Sequence, residues 1–253
     1  MISYEFPLNE RVRTLLRLED LFMRIERFIL RAECEDHHAA LGVLFEILEV
    51  ASRADLKSDL LQELERQKKV LNALHNNPAI SEDALDAVLG EIEQDCARLL
   101  EINGKIGQHL RDNEWLMGIK QRAVIPGGVC EFDLPSYHYW QHQPQAQRLA
   151  DLQAWLTPLL PLKDAIALML KLLRESGRSH RFTAHHGTFQ QMQGGRVAQL
   201  LCLSLEEGTP CIPEISANKY ALNIRFVAAN FSSAKTALYE HDVDFNLVFC
   251  SLQ

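Results

Sequence analysis

The prevailing hydrophobic periodicity of this 253-residue chain changes near Gly177, and that change limits the folds open to it. Before it, apolar residues recur at helical spacing; after it, they alternate with polar ones, as in strands with one buried face. Residues 9–31 are amphipathic, and Leu56, Leu60, Leu64, Leu71 and Leu74 fall near one helix face. A break follows at "HNNPAIS", where Ser81 is placed to cap a helix carrying Leu85, Val88, Leu89, Ile92, Cys96 and Leu99. "GKIGQHLRDNEWLMGIKQRA" predicts a further short helix. Residues 145–175 return to helix, with Pro158 and Pro161 placing a break before a helix from about Leu162 onward.

Beyond Gly177 come "RFTAHHGTFQQMQ", "VAQLLCLSL", "CIPEIS", "YALNIRFVA" and "DVDFNLVFC", short runs bounded by Gly, Pro, Asn and Asp. Leu222, Ile224 and Phe226 oppose Ala221, Asn223 and Arg225, and Val243, Phe245 and Leu247 oppose Asp242, Asp244 and Asn246. A period of two is what an antiparallel sheet with one wet face requires. "QGG" at 193–195 reads as a turn between strands. The stretch "IPGGVCEFDLPSYHYW", Ile125 to Trp140, also alternates: Val129, Glu131 and Asp133 against Cys130, Phe132 and Leu134. It reads as a strand inserted into the sheet. The expected class is therefore α+β: an N-terminal, mainly helical domain (1–122 and 145–176) and an antiparallel β domain (123–144 and 177–253) built from a mid-chain strand and the C-terminal third.

Composition narrows the setting. Apolar residues make up 47%, as in a globular chain, and no apolar run approaches the roughly 18–20 residues of a membrane helix. "MISYEFPLNERVR" carries charges where a signal peptide needs an apolar core, so a cytoplasmic protein is expected. The six cysteines, at 34, 96, 130, 202, 211 and 250, are scattered, with no CxxC, and most of them read as buried thiols. The net charge is −8, concentrated in residues 32–103, which hold 16 acids against 6 Lys and Arg. Such a balance argues against general nucleic-acid binding.

The residue types that carry chemistry do not assemble into a site. Pro126-Gly127-Gly128 lacks the surroundings of a phosphate loop. Cys130 and His138 offer a nucleophile and a base, but alternation turns Cys130 toward the core with Phe132. His138 and His142 have the i,i+4 spacing of a helical zinc site without an HExxH glutamate, and His37-His38 and His185-His186 are too close in sequence to share a metal well. Glu206-Glu207 and Asp242/Asp244 read as solvent-facing acids. No catalytic, cofactor or metal site is expected.

The stronger signal is an arginine ridge. On a helix over residues 9–31, Arg13, Arg17, Arg24, Arg27 and Arg31 fall within an arc of about 80°. Leu15, Leu18, Phe22, Ile25 and Ile29 lie on the opposite side. A row of like charges costs a few tenths of a kcal/mol per i,i+4 pair, so the ridge is either a face whose charges are offset by acids elsewhere or a surface for an anionic partner. The planar guanidinium fork suits peptide carboxylates.

Five blocks, "FPLNERVRTLLRLEDLF", "SDLLQELERQKKVL", "IGQHLRDNEWL", "QRAVIPGGVCEFDLPSYHYWQHQPQAQR" and "NKYALNIRF", together resemble the ZapD family of cell division proteins, in order and over nearly the whole chain. The resemblance implies a cytoplasmic, non-enzymatic homodimer at the mid-cell division site. It implies binding to the C-terminal tail of the tubulin-like GTPase FtsZ and cross-linking of FtsZ filaments, with no nucleic-acid or membrane partner. Two equivalent sites per dimer bridge two filaments without chemistry. The helical domain is then the dimerisation and tail-binding region. Carried over by position, Arg17 and His138 match residues of the family's basic pocket. A third basic position holds Glu114 here, for which Arg111, Lys120 or Arg122 could substitute. Arg53 and Arg225 stand where relatives are basic, and Ala221 replaces a further basic residue. With Arg13 and Arg24 from the ridge, the candidate partner-binding set is Arg13, Arg17, Arg24, Arg53, Arg111, Arg122, His138 and Arg225. Two other readings stay open: a cysteine-dependent enzyme using Cys130 and His138, and a nucleic-acid adaptor using the ridge.

Overall fold

The computed structural model describes the chain except for residues 53, 54, 76, 79, 193–197, 219, 231, 233–236 and 253. The expected turn at 193–195 lies outside the described residues. The chain divides into two compact units, one formed by residues 1–13 and 170–253, the other by residues 14–169. The class is α+β, with helices first and antiparallel sheets from the latter part of the chain.

The helical unit is built from α1 (Glu10–Ile29), α2 (Cys34–Ala51), α3 (Leu56–Asn72), α4 (Glu82–Glu101), α5 (Gln108–Arg111), α6 (Glu114–Ala123), α7 (Pro135–Gln141), α8 (Gln145–Leu156) and the start of α9 (Leu160–Glu175). The apolar side of α1 is the one its spacing predicts: Leu15, Leu18, Phe22, Ile25 and Ile29 are all buried. In α3, Leu56, Leu60 and Leu64 face the core and pack with α4, while α3 ends at Asn72, before Leu74. Ser81 caps α4 as expected, its hydroxyl accepting from the Ala84 amide at 3.4 Å. Pro158 sits in a 3-10 turn, Thr157–Leu159, and Pro161 in the first turn of α9. A first-turn proline removes no helical hydrogen bond, so α9 starts before both Pro161 and Leu162.

One buried cation organises the middle of this unit. Arg148 of α8 donates through Nε to His37 Nδ1 at 3.1 Å and through Nη2 to the Ala32 carbonyl at 2.8 Å. Its Nη1 serves the carbonyls of Gln141 and Gln143. It ties the start of α2 to the link between α7 and α8 and has four acceptors for its charge, the condition for burying one.

The second unit holds β1 (Ile2–Pro7), β2 (Ser179–Ala184), β3 (Thr188–Met192), β4 (Leu200–Leu205), β5 (Cys211–Ala217), β6 (Ala221–Ala228) and β7 (Val243–Cys250). They form a four-stranded sheet in the order β1-β4-β7-β2 and a three-stranded sheet in the order β3-β6-β5, antiparallel throughout. The residues that alternation assigned to the core, Leu222, Ile224, Phe226, Val243, Phe245 and Leu247, meet in one cluster with Leu201, Leu203 and Leu205. Phe189 and Phe226 of one sheet contact Phe245 of the other, ring centroids 5.2 and 5.3 Å apart.

The mid-chain strand is not there. Residues 129–134 form consecutive turns, and the polypeptide then enters α7. Residues 123–144 accordingly belong to the helical unit, and the strand that joins the sheet from outside the C-terminal third is β1, with Phe6 opposite Leu201.

Candidate functional site

The stretch Arg122 to His142 is held by a chain of short-range hydrogen bonds. The Ile125 amide donates to the Arg122 carbonyl at 2.9 Å, Gly128 to Ile125 at 2.8 Å, and Leu134 to Cys130 at 3.0 Å. Gly127 has φ +71°, and a Cβ on Gly128 would lie 2.4 Å from the Arg122 carbonyl oxygen, so both positions require glycine. Pro135 opens α7 at a position where its missing N–H costs nothing.

α7 is anchored by its aromatic side. Tyr137 is fully buried, its hydroxyl 2.6 Å from His38 Nδ1, and burial pushes its phenol up from the ordinary value. Trp140 donates to Asp151 at 2.9 Å, and Trp115 to Ser136 at 3.0 Å. Tyr137, Trp140, Trp115 and Trp155 stand in ring contact with centroids 5.8–6.3 Å apart. His138 follows the buried Tyr137 and is half-exposed. Its ring lies 4.3 Å from that of His142, and its Nε2 lies 3.6 Å from a Glu131 carboxylate oxygen. His142 Nδ1–H donates to the His138 carbonyl at 2.8 Å, which fixes that ring's orientation.

Cys130 is exposed, contrary to the core position expected of it, because it stands in a turn where alternation has no meaning. Phe132 is 79% exposed for the same reason, Val124 is equally open and Tyr139 only a little less so. Sequence reasoning missed this apolar surface; the turn chemistry of Pro126-Gly127-Gly128 was the available signal. Of the other cysteines, 96, 211 and 250 are buried and 34 and 202 half-buried. Among the described residues no group of three or more His, Cys, Asp and Glu side chains is arranged to hold a metal, and no helix is long and apolar enough to cross a membrane.

The arginine candidates separate by what their guanidinium groups touch. Arg13 lies 3.2 Å from Glu10 and reaches the Pro7 carbonyl. Arg24 pairs with Asp20 at 3.0 Å and Glu46 at 3.4 Å. Arg31 lies past the end of α1, off the ridge, and pairs with Asp36 at 3.1 Å. The single-sign ridge is thus corrected: acids one turn away in α1, or in α2, offset three of its five charges. Arg17 and Arg27 remain exposed, with no hydrogen bond or ion pair to any described residue.

Arg111 is not available as a substitute for the basic position at Glu114. Its fork donates to the carbonyls of Ile106 at 2.8 Å and Leu48 at 3.5 Å, tying the loop before α5 to α2. Lys120 is paired with Glu49 at 2.8 Å and holds that carboxyl below its usual range. Arg122 is exposed, and among the described residues its ion-pair contact is to Asp133 at 3.7 Å. Glu114 itself sits in the first turn of α6, next to the Asn113 cap, where an acid favours the helix dipole. Arg225 is exposed on β6, in the other unit, opposite Thr188 on one side and Glu214 on the other. Arg53 lies outside the described residues. No hydrogen bond, ion pair or ring contact joins Arg17 to His138 among the described residues.

A family model described as ZapD, a cell division protein, matches residues 16–225. Relatives named "Cell division protein ZapD" match over nearly their whole length. The one from Chromobacterium violaceum is 55% identical over 250 residues, 99% of both chains. Those from Azoarcus and Dechloromonas aromatica are 55% and 56% identical over 252 residues, covering both chains fully. Identity at this level over the full length of both chains leaves one assignment: the chain belongs to the ZapD family of cell division proteins.

Proposed function

We propose that this chain is an FtsZ cross-linker: a homodimer, acting at mid-cell in the cytoplasm, whose helical unit binds the C-terminal tail of FtsZ and whose two copies bridge filaments into bundles. The observation that carries the reading is the pair of exposed, unpartnered arginines on α1, Arg17 and Arg27, in a chain of net charge −8. Acids are plentiful here, yet these two cations pair with none of the described ones, so their donors are free for carboxylates of another molecule. Arg122 and His138, with only long contacts to acids at 3.7 and 3.6 Å, add donors that a tail can capture without breaking a strong pair. Arg13, Arg24 and Arg111 have partners within the chain and are given a smaller part in the proposed contact.

Cosedimentation with FtsZ polymers tests the reading. Wild type is expected to pellet with and bundle full-length FtsZ, to lose both with tailless FtsZ, and to bind less as salt rises. Equal bundling of tailless polymers sinks the tail-binding mechanism.

The exposure of Cys130 favours a second reading, a cysteine-dependent enzyme with His138 as base. A thiol probe at neutral pH separates the two. A nucleophile reacts much faster than free cysteine and its alkylation abolishes turnover; a bystander reacts at the ordinary rate and FtsZ bundling survives.

A further inference from the structure

The four-stranded sheet carries two thiols in contact. Cys202 on β4 stands opposite Val248 on β7, and Cys250 lies two residues further along β7, so both cysteines project from the same face as diagonal neighbours. Their sulfurs are 3.9 Å apart. Cys250 is fully buried and Cys202 is half-buried, so one sulfur of the pair is reachable from outside.

The surroundings are polar for a sheet face. Glu5 stands opposite Cys202 on β1, with a carboxylate oxygen 3.8 Å from Cys202 Sγ. The same carboxylate takes a two-pronged pair from Arg174 at 2.7 and 2.9 Å, and the Arg174 carbonyl lies 3.7 Å from Cys250 Sγ. Gly177 then passes so close over β7 that a Cβ there would lie 2.4 Å from Val248 Cγ1. The two sulfurs therefore meet between the inner strands of the sheet, under the segment at Gly177, and the Cys202 thiol, in hydrogen-bond contact with Cys250, partly buried and beside a carboxylate, is held strongly in its protonated form.

We propose that Cys202 and Cys250 form a reversible dithiol–disulfide pair, a redox modification site that staples β4 to β7 when the protein meets a hydroperoxide. The reaction balances on the two sulfurs. A hydroperoxide delivers oxygen to the reachable Cys202, its O–O bond breaking and water or an alcohol leaving. The Cys250 sulfur then attacks the resulting sulfenic acid, the S–O bond breaks, water leaves, and the S–S bond forms. Two electrons pass from the thiols to the peroxide, and a dithiol reductant reverses the change. Closing 3.9 Å to a disulfide bond of about 2.05 Å joins diagonal neighbours, whose backbones stand about 7–8 Å apart, so β4 and β7 draw slightly together as the two side chains rotate. The high proton affinity at Cys202 makes the first step slow at neutral pH, so the pair answers sustained oxidant rather than the resting cytoplasm.

The experiment uses the full chain, folded, exposed to hydrogen peroxide, then blocked with N-ethylmaleimide and digested without reduction. The expected result is a linked pair of peptides containing Cys202 and Cys250, separable by dithiothreitol, while Cys96 and Cys211 carry maleimide after denaturation. The linked form closes a loop of about 48 residues and is expected to melt roughly 5–10 °C higher, reversibly with reductant. Recovery of Cys202 and Cys250 both as maleimide adducts, with oxidation confined to exposed Cys130, overturns the proposal. So does Cys202 advancing to sulfinic acid with no link to Cys250.

Discussion

α1 and the segment from Val124 to His142 both looked chemically loaded in the sequence, and they resolved in opposite ways. In α1 the periodicity was right about the fold, and every apolar residue it assigned inward is buried. It was less informative about function, because acids offset Arg13, Arg24 and Arg31 and leave Arg17 and Arg27. In 124–142 the alternation was wrong about the fold, yet the segment displays His138, Cys130 and Phe132 to solvent. A long amphipathic pattern specifies burial well and says little about partners; a six-residue alternation specifies neither without its turn residues.

The comparison breaks most visibly at the anchor of α7. Tyr137→Ala empties a fully buried ring site and removes the hydroxyl beside His38, and is expected to cost about 3–5 kcal/mol in urea unfolding. A loss under 1 kcal/mol would mean that the 124–142 segment is not locked to the helical core. Gly128→Ala drives a methyl against the Arg122 carbonyl and is expected to cost about 1–3 kcal/mol by the same measurement. An unchanged midpoint would show that the turn relaxes freely.

The third test is pH. Tyr137's phenol is raised above its ordinary value of 10.0, mainly by burial. Its contribution is fully present below pH 10 and is lost as pH rises beyond it toward the folded-state value, because only the unfolded chain releases the proton readily. Stability should fall less steeply above pH 10 in Tyr137→Phe than in wild type; identical slopes would sink the assignment. The smallest effect on the fold, and the sharpest on partner binding, comes from α1. Arg17→Glu is expected to leave unfolding within about 0.5 kcal/mol of wild type and to weaken FtsZ cosedimentation by roughly tenfold or more. Arg13→Glu, at a cation already paired with Glu10, should weaken binding less. Equal effects from the two would remove the distinction between paired and free ridge positions.

Much of the fold was legible because long patterns average out accident. The α1 face, the Ser81 cap and the alternation in β6 and β7 all stood in the structure. β1 was missed although Tyr4 and Phe6 alternate with Ser3 and Glu5, because six residues at an end carry little signal and their partner β4 is nearly 200 residues away. Cys130 was misplaced because burial was inferred from a strand that does not exist. Arg111 stood among the candidate partner-binding residues and Arg148 was not singled out, because nothing local announces that carbonyls of Leu48 or Ala32 wait for them.

The sequence by itself determined the family, the α+β class and the inward faces of the long elements, since these rest on many residues acting together. Which charges are free was decided only in three dimensions. An arginine's state depends on acceptors from other turns and other helices, and a cysteine's on whether the backbone beside it runs straight or turns. Arg17, Arg24 and Arg111 are the same side chain in the sequence. One is open, one is paired and one is a strut, because Coulomb and hydrogen-bond energies fall away within a few ångströms and only the tertiary structure sets those distances.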